Sequence, residues 1–268
     1  MYISNLKYDK NRYRRIFRLY LSYWLTTLVA VSIAEISGTG TIRFDILSVI
    51  NNLSAYHTTW NGTCWYIFPY TLLSLLAPYM FEKVKYLNPK MVVSVSFVIS
   101  LVSLFFYSRC NINYATEPTL YHLTFSLSMI FCFVLGGMTA REKWFDRIAK
   151  EISKRKKLYF IVFISIVGIK LIVSTTAMNG VFAYCLTIFI LSYVSTDSSL
   201  GKILKFLGGL SMNIWFVHIW ILKFFDDAYL MSMNPILTLI VWMIICIPIA
   251  LCFQRLEKTI LNICANNK

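Results

Sequence analysis

Hydrophobic residues in this chain form long runs that are separated by short polar or basic segments. A helix needs roughly 20 mainly apolar residues to cross a bilayer. Eight runs are of that kind, at 16–36, 65–81, 91–107, 120–138, 158–176, 178–195, 210–225 and 235–253. The seventh run is the weakest because Asn213 and His218 interrupt it. The pattern predicts an all-α, polytopic membrane bundle of about eight helices, in a single domain over residues 1–268.

The composition supports an integral membrane protein. Of the 268 residues, 58% are hydrophobic and 14% are charged, whereas a soluble domain usually carries about 25% charged residues. In a chain this apolar, the net charge of +14 indicates basic cytoplasmic loops, and we expect no nucleic acid partner. The N-terminal segment is polar and basic, so we do not expect a cleaved signal peptide. The seven cysteines form no metal-binding pattern, so we expect no metal.

The basic residues predict the orientation of the bundle. Lysine and arginine cluster before the first run and after the second, fourth, sixth and eighth runs, and they are rare in the other connections. Positive residues favour the cytoplasmic side of a membrane. This alternation predicts that both termini are cytoplasmic, in a multi-pass protein of the plasma membrane that contacts lipids along its length.

Four stretches resemble, in this order, the motifs of one known family. Residues 15–24, RIFRLYLSYW, resemble a basic RxxR helix start, with Leu21 where proline is common. Residues 51–53, NNL, followed by residues 60–67, WNGTCWYI, resemble an outer loop and the start of the following span. Residues 133–138, FVLGGM, resemble a helix end before a basic loop, and residues 204–218, LKFLGGLSMNIWFVH, resemble a late helix. The family is acyltransferase 3, whose bacterial-type membrane enzymes O-acylate cell-surface sugars and related acceptors.

The resemblance implies an activity and one departure from the family pattern. It implies transfer of an acyl group, as in O-acetylation for polysaccharide modification, from acyl-CoA to a glycan or a lipid-linked sugar. The family's first helix carries an arginine followed, after ten residues, by the expected catalytic histidine. Neither His57, His122 nor His218 has an arginine at that spacing. We therefore expect the chain to be N-terminally truncated relative to the family, lacking the first two helices.

Arg15 and Arg18 are the candidates for binding the donor. Three residues apart on a helix, they share a face, and a guanidinium binds phosphate with paired hydrogen bonds. Together with the resemblance, this predicts that they hold the phosphates of acyl-CoA (acetyl-CoA). The alternative is a topological anchor that contacts lipid headgroups, and Arg14 needs no other explanation.

His218 is the candidate catalytic residue. An ionisable side chain within a membrane is costly unless it faces the bundle interior or water, and an imidazole can accept or relay a proton. Ser211 and Trp215 lie on the same helix face and are predicted to contact the substrate with it. A structural histidine bonded to a neighbouring helix is equally compatible with the sequence.

Trp60, Trp65 and His57 are the candidates for binding the acceptor, because aromatic rings stack on sugar faces and these residues cluster in a predicted outer connection. For Trp65 the aromatic belt at the membrane interface is the simpler interpretation. Two functions stay open at this point: a membrane O-acyltransferase, and a catalytically inactive fragment or a non-enzymatic, transporter-like bundle. The missing arginine–histidine pair favours the second, and the ordered motifs favour the first.

Overall fold

The architecture comes from a computed structural model that describes residues 10–38, 44–110, 112, 116–172, 176–224 and 234–266. Every regular element within these ranges is a helix. In chain order they are α1 (Lys10–Ile36), α2 (Ile46–Leu53), a 3₁₀ helix (Gly62–Tyr66), α3 (Ile67–Lys83), α4 (Pro89–Arg109), α5 (Pro118–Glu142), α6 (Trp144–Lys154), α7 (Lys156–Ile172), α8 (Thr176–Tyr193), α9 (Ser199–Phe224) and α10 (Pro235–Asn266). The predicted all-α fold class is confirmed.

Six helical segments of the described chain are long and apolar enough to cross a membrane. They are Asn11–Ile36, Gly62–Lys83, Pro89–Arg109, Pro118–Glu142, Ser199–Ile221 and Ile236–Ile263. These correspond to the first four and the last two predicted runs, which confirms a polytopic membrane bundle. The fifth and sixth runs also form helices, α7 and α8, but these have only 17 and 18 residues.

Short polar signals set several helix ends. The Asn88 side chain accepts a hydrogen bond from the Lys90 N–H at 3.0 Å, and Pro89 occupies the first turn of α4, where its missing N–H costs nothing. Asp45 caps α2 in the same way, accepting from the Ser48 N–H at 2.9 Å. Lys143 has a positive φ of 52°. It ends α5 and begins α6, so the chain changes direction there.

The described helices group into two compact units. The central unit comprises residues 69–202 and the terminal unit comprises residues 10–68 with 203–268. In the central unit α4 packs along α5, and α8 packs against α5, α6 and α7. Serines allow the close approach of α4 and α5: Ser103 Oγ donates to the Thr124 carbonyl at 2.6 Å, and Ser100 Oγ accepts from the Phe131 N–H at 3.1 Å.

In the terminal unit α10 runs antiparallel to both α1 and α9. The start of α1 contacts the end of α10 through an ion pair. Along α9, Gln254 Nε2 of α10 donates to the Gly209 carbonyl at 2.9 Å, and Trp242 near the start of α10 lies against His218 near the end of α9. Helices α1 and α9 are therefore parallel and begin on the same side, which the basic residues predict to be cytoplasmic.

The segment 46–66, between α1 and α3, folds back against α1. Tyr20, Tyr23 and Trp24 donate side-chain hydrogen bonds of 2.7 to 2.9 Å to the backbone carbonyls of residues 52–54. These donors lie in the middle of α1. The predicted outer connection therefore reaches deeper than expected, because the unpaired carbonyls at the end of α2 find their donors halfway along α1.

Candidate functional site

Buried polar side chains form a line through the terminal unit. In an apolar bundle such groups must be paired with one another, because neither lipid nor apolar side chains can hydrogen-bond to them. The line begins near the start of α1, passes through the segment 46–66 and ends near the C-terminal end of α9. Its two ends hold the predicted donor-binding and catalytic residues.

The first end is an ion pair between Arg18 of α1 and Glu257 of α10. The Glu257 side chain is 1% exposed, whereas 45% of the Arg18 side chain is accessible. Arg18 Nε donates to Glu257 Oε1, and Ser22 Oγ donates to Glu257 Oε2 at 2.8 Å. Both carboxylate oxygens are thus bonded, which compensates the buried charge. The contact uses the Nε of the guanidinium, and the exposed part of the side chain stays accessible to a second anion.

Arg15 lies one helical turn before Arg18 and is exposed. The two predicted donor-binding arginines therefore share one face of α1. The structure adds a carboxylate to this end that the sequence analysis missed. Glu257 lies beyond the last predicted run, and it belongs to the bundle because α10 continues to Asn266.

Asn52 forms the middle of the polar line. It is 1% exposed, and its Nδ2 donates to the Ser48 carbonyl and to Thr59 Oγ1, both at 2.9 Å. Its Oδ1 accepts from the Trp60 N–H at 2.9 Å. Its backbone carbonyl accepts from the Tyr23 hydroxyl. One buried amide thus joins α2, the turn after it and α1.

Asn61 and Thr63 tie the segment to α9. The Asn61 side chain is fully buried; its Nδ2 donates to the Phe216 carbonyl at 3.3 Å and its Oδ1 accepts from Thr63 Oγ1 at 2.7 Å. The Thr63 carbonyl in turn accepts from Trp215 Nε1 at 3.2 Å. The polar line therefore reaches the helix that carries His218.

The second end is His218, half-buried between two tryptophans. Its ring centroid lies 5.1 Å from that of Trp215 and 5.5 Å from that of Trp242. Its Nδ1 contacts the Trp215 carbonyl one turn earlier. Because a carbonyl only accepts, this contact favours the tautomer with hydrogen on Nδ1, which makes Nε2 the basic nitrogen of the neutral ring.

Within the part of the chain that the structure describes, Asn213 Oδ1 of α9 and Trp242 Nε1 of α10 are buried without a hydrogen-bond partner, and Asn213 is 2% exposed. A buried polar atom without a partner costs about 1–3 kcal/mol. Trp242 lies directly against His218, and its indole N–H is enclosed by protein.

The structure places Ser211, Trp215 and His218 on one face of α9, as their spacing predicts. The side chains of Ser211 and Trp215 are exposed, and that of His218 is half-buried. Ser211 Oγ donates to the Gly208 carbonyl at 2.9 Å. The arginines are not part of this face, because Arg18 lies near the opposite end of α10.

The ring of Trp60 is largely enclosed by the terminal unit. It is 5% exposed and packs against Ala30, Val31 and Trp220. A ring buried in this way has little surface to offer a sugar, so its contacts fix the segment 46–66 against α1 and α9.

Trp65 and His57 are both half-buried. The Trp65 ring meets Tyr66 edge-to-face at 6.1 Å. Partial burial lowers the pKa of the His57 imidazole, so this histidine is neutral at pH 7. The predicted acceptor residues thus share a segment but do not form one open surface.

The described residues contain no group of three or more His, Cys, Asp or Glu side chains that could hold a metal ion. Three residues of the polar line were not among the candidates predicted from the sequence: Glu257, Asn52 and Tyr23. A carboxylate within a mainly apolar helical sequence was the available signal for Glu257. No local pattern distinguishes Asn52 from its neighbour Asn51.

Comparison with known proteins identifies the family to which the chain belongs. A family model described as an acyltransferase domain matches residues 3–255, nearly the whole chain. The match includes Arg15, Arg18 and His218, whereas Glu257 lies just beyond it. Searches of curated proteins and of solved structures give no match. With the ordered motifs, the membrane-spanning helices and this match in agreement, the chain belongs to the acyltransferase 3 family of membrane acyltransferases.

Proposed function

We propose that this protein transfers an acyl group, acetyl in the simplest case, from acyl-CoA to a hydroxyl of a cell-surface carbohydrate or lipid-linked sugar. The proposed location is the plasma membrane of a bacterium, with the start of α1 in the cytoplasm, where the donor is found. The observation that carries the proposal is the polar line in the terminal unit, which joins an arginine end to a histidine end.

The arginine end suits the donor. Exposed Arg15 and half-exposed Arg18 lie on one face at the start of α1, where the helix dipole is also positive. Phosphate groups of coenzyme A would bind to the outer N–H groups of these guanidiniums. Glu257 holds Arg18 from the buried side, so the guanidinium is oriented before the donor arrives.

The histidine end suits the transfer. His218 Nε2 takes the proton of the acceptor hydroxyl, and the oxygen attacks the thioester carbonyl. A carbon–oxygen bond forms, the carbon–sulfur bond breaks, and the thiolate of coenzyme A leaves and recovers the proton. Trp215 offers a half-exposed ring for the acceptor.

The separation of the two ends fits a donor with a long arm. Glu257 and Trp242 mark the two ends on the same helix, and a rise of 1.5 Å per residue puts them about 20 Å apart along α10. Acyl-CoA carries its thioester on an extended pantetheine arm, well away from its phosphates. A single donor molecule would therefore reach from Arg18 towards His218.

The test is acyl transfer by membranes that contain the full chain, with radiolabelled acetyl-CoA and a lipid-linked sugar. Arg15→Ala and Arg18→Ala should each raise KM for acetyl-CoA about tenfold, since each removes a charged hydrogen bond of about 1.5–3 kcal/mol. His218→Ala should lower kcat by about 100-fold or more, with little effect on KM. Arg14→Ala is the matched control and should change neither constant.

A second candidate function rests on the histidines of this sequence, none of which follows an arginine at the spacing of the family's catalytic pair. It is a family member without transferase activity, such as a transporter-like bundle. If wild-type membranes neither transfer the acyl group nor bind acetyl-CoA, this second candidate replaces the first. If transfer occurs but is insensitive to Arg15, Arg18 and His218, the activity stands and our site is wrong.

A further inference from the structure

Helix α6 of the central unit differs from its neighbours in being strongly amphipathic. The exposed cations Arg147, Lys150 and Lys154 follow one another at intervals of three and four residues, so they form one stripe on the helix. The apolar residues Ile148 and Ile152 point away from this stripe. A basic amphipathic helix of this kind lies in the interface between lipid headgroups and acyl chains.

The apolar side of α6 lines a partly open cavity. Its volume is about 150 Å³, and its lining comes from α6, α7 and α8, including Ile148, Ile152, Val162, Ile188, Phe189 and Tyr193. Phe145 of α6 stacks on Tyr184 of α8 at 5.3 Å, which fixes the other end of α6 on the same helix. Water binds poorly in a cavity with an apolar lining, whereas hydrocarbon binds well.

Three further cations lie beside this cavity. Arg155 connects α6 to α7, Lys156 and Lys157 begin α7, and all three side chains are exposed. The Lys156 carbonyl contacts the hydroxyl of Tyr193, which lines the cavity. The nearest acidic residue of α6 is Glu151, and it is engaged by Lys154 at 3.2 Å. A concentration of positive charge therefore adjoins an apolar cavity at one membrane surface.

We propose that this place binds one anionic phospholipid, with its phosphate on Arg155, Lys156 and Lys157 and part of an acyl chain in the cavity under α6. The occupant follows from the two chemistries side by side: a phosphate complements the cations, and only a lipid also carries hydrocarbon for the cavity. The basic stripe of α6 contacts the surrounding anionic headgroups. The lipid then fills the space between α6 and the short helices α7 and α8.

The proposal is tested by lipid retention on the full-length protein. The chain is purified in mild detergent from vesicles that contain equal amounts of phosphatidylglycerol and phosphatidylcholine, and native mass spectrometry counts the lipids that stay bound. We expect one retained phosphatidylglycerol and no retained phosphatidylcholine. A variant with Arg155→Gln, Lys156→Gln and Lys157→Gln should bind phosphatidylglycerol on the order of a hundredfold more weakly, since each cation near an anionic surface contributes a factor of about five.

Two variants separate a lipid site from general surface charge. Lys83→Gln, Lys85→Gln and Lys90→Gln remove another basic cluster of the same unit and should leave retention unchanged. Ile188→Trp fills the cavity without changing any charge and should abolish retention of the lipid. If this variant does not fold, Cys185→Leu, at another lining residue, is the alternative cavity-filling variant. Inorganic phosphate should not displace the lipid, because it lacks the acyl chain.

The proposal is overturned if phosphatidylcholine is retained equally, if the Arg155–Lys157 variant keeps its lipid, or if filling the cavity has no effect. Displacement by inorganic phosphate would also overturn it, since that would show a simple anion site. None of these results depends on acyl transfer.

Discussion

Arg18 and Glu257 lie 239 positions apart in the chain and form the ion pair that fixes one end of the proposed site. The arginine is half-exposed and the glutamate is buried, so the two residues have different energetic roles. The buried carboxylate depends on its partner, because an unpaired charge in an apolar interior is strongly unfavourable. The arginine keeps accessible surface for a ligand. One residue pair can therefore serve both stability and donor binding.

Removing the arginine should cost more stability than removing both partners. We expect Arg18→Gln to lower the free energy of unfolding by about 2–3 kcal/mol, because it leaves Glu257 buried without its counter-charge. The double variant Arg18→Gln with Glu257→Gln should recover part of this loss. Thermal unfolding in detergent measures the stability of both variants. The control is Arg15→Gln, which removes an exposed charge on the same helix and should change the free energy of unfolding by no more than about 0.5 kcal/mol. Equal effects of Arg15→Gln and Arg18→Gln would contradict the assignment.

His57 predicts a pH dependence of stability. Burial lowers the pKa of its imidazole in the folded chain, so the unfolded chain takes up a proton at a higher pH than the folded chain. The full stability is therefore present above the unfolded pKa of about 6.5 and declines as the pH falls towards the folded pKa. We expect the melting temperature to fall between pH 7 and pH 5, and His57→Gln to flatten that slope. An unchanged slope in the variant would show that other groups cause it.

Single glycines decide how closely helices pack. In the central unit, a methyl group at Gly137 of α5 would overlap the ring of Phe81 on α3, whereas a methyl group at Gly136 meets no atom within 4 Å. The motif FVLGGM thus contains one glycine that the packing needs and one that it does not. Similarly, α6 exists as a separate helix because Lys143 adopts a left-handed conformation.

Alanine at the two glycines should have opposite effects. Gly137→Ala should lower stability by about 1–3 kcal/mol, because the Phe81 ring must move. Gly136→Ala should be neutral or stabilising by up to about 1 kcal/mol, since alanine is the better helix former. Thermal unfolding of the purified variants compares the neighbours directly. If both alanine variants lower the stability of the protein to the same degree, the contact of Gly137 with the Phe81 ring does not explain the loss.

The whole molecule combines a membrane-spanning helical bundle with a charge distribution that predicts its orientation. Helices α3 and α4 meet at a basic connection, which the charges place in the cytoplasm. Helix α4 ends at Cys110, an exposed free thiol, which the same argument places outside. Cys64 is buried, so its thiol serves as an unreactive comparison for the exposed thiol of Cys110. The orientation therefore has a direct chemical test.

A membrane-impermeant maleimide applied to intact cells should label Cys110, and Cys110→Ser should remove that labelling. In the Cys110→Ser background, Tyr86→Cys, at a position that is 88% exposed, should be labelled only after the cells are opened. If Tyr86→Cys is labelled on intact cells and Cys110 is labelled only after they are opened, the topology is the reverse of the predicted one. Arg15 and Arg18 would then lie outside, away from acyl-CoA.

The class of the protein follows from its sequence alone. The length of a hydrophobic run and the side on which lysine and arginine cluster act locally, so no knowledge of packing is needed to predict a helical membrane bundle and its orientation. The ordered motifs likewise indicated the family, with Arg15, Arg18 and His218 as candidates. Only the tertiary structure paired Arg18 with Glu257, drew the segment 46–66 against the middle of α1 and buried Trp60. Those outcomes depend on which distant side chains satisfy one another in an apolar interior, and a single sequence does not reveal which partners will meet.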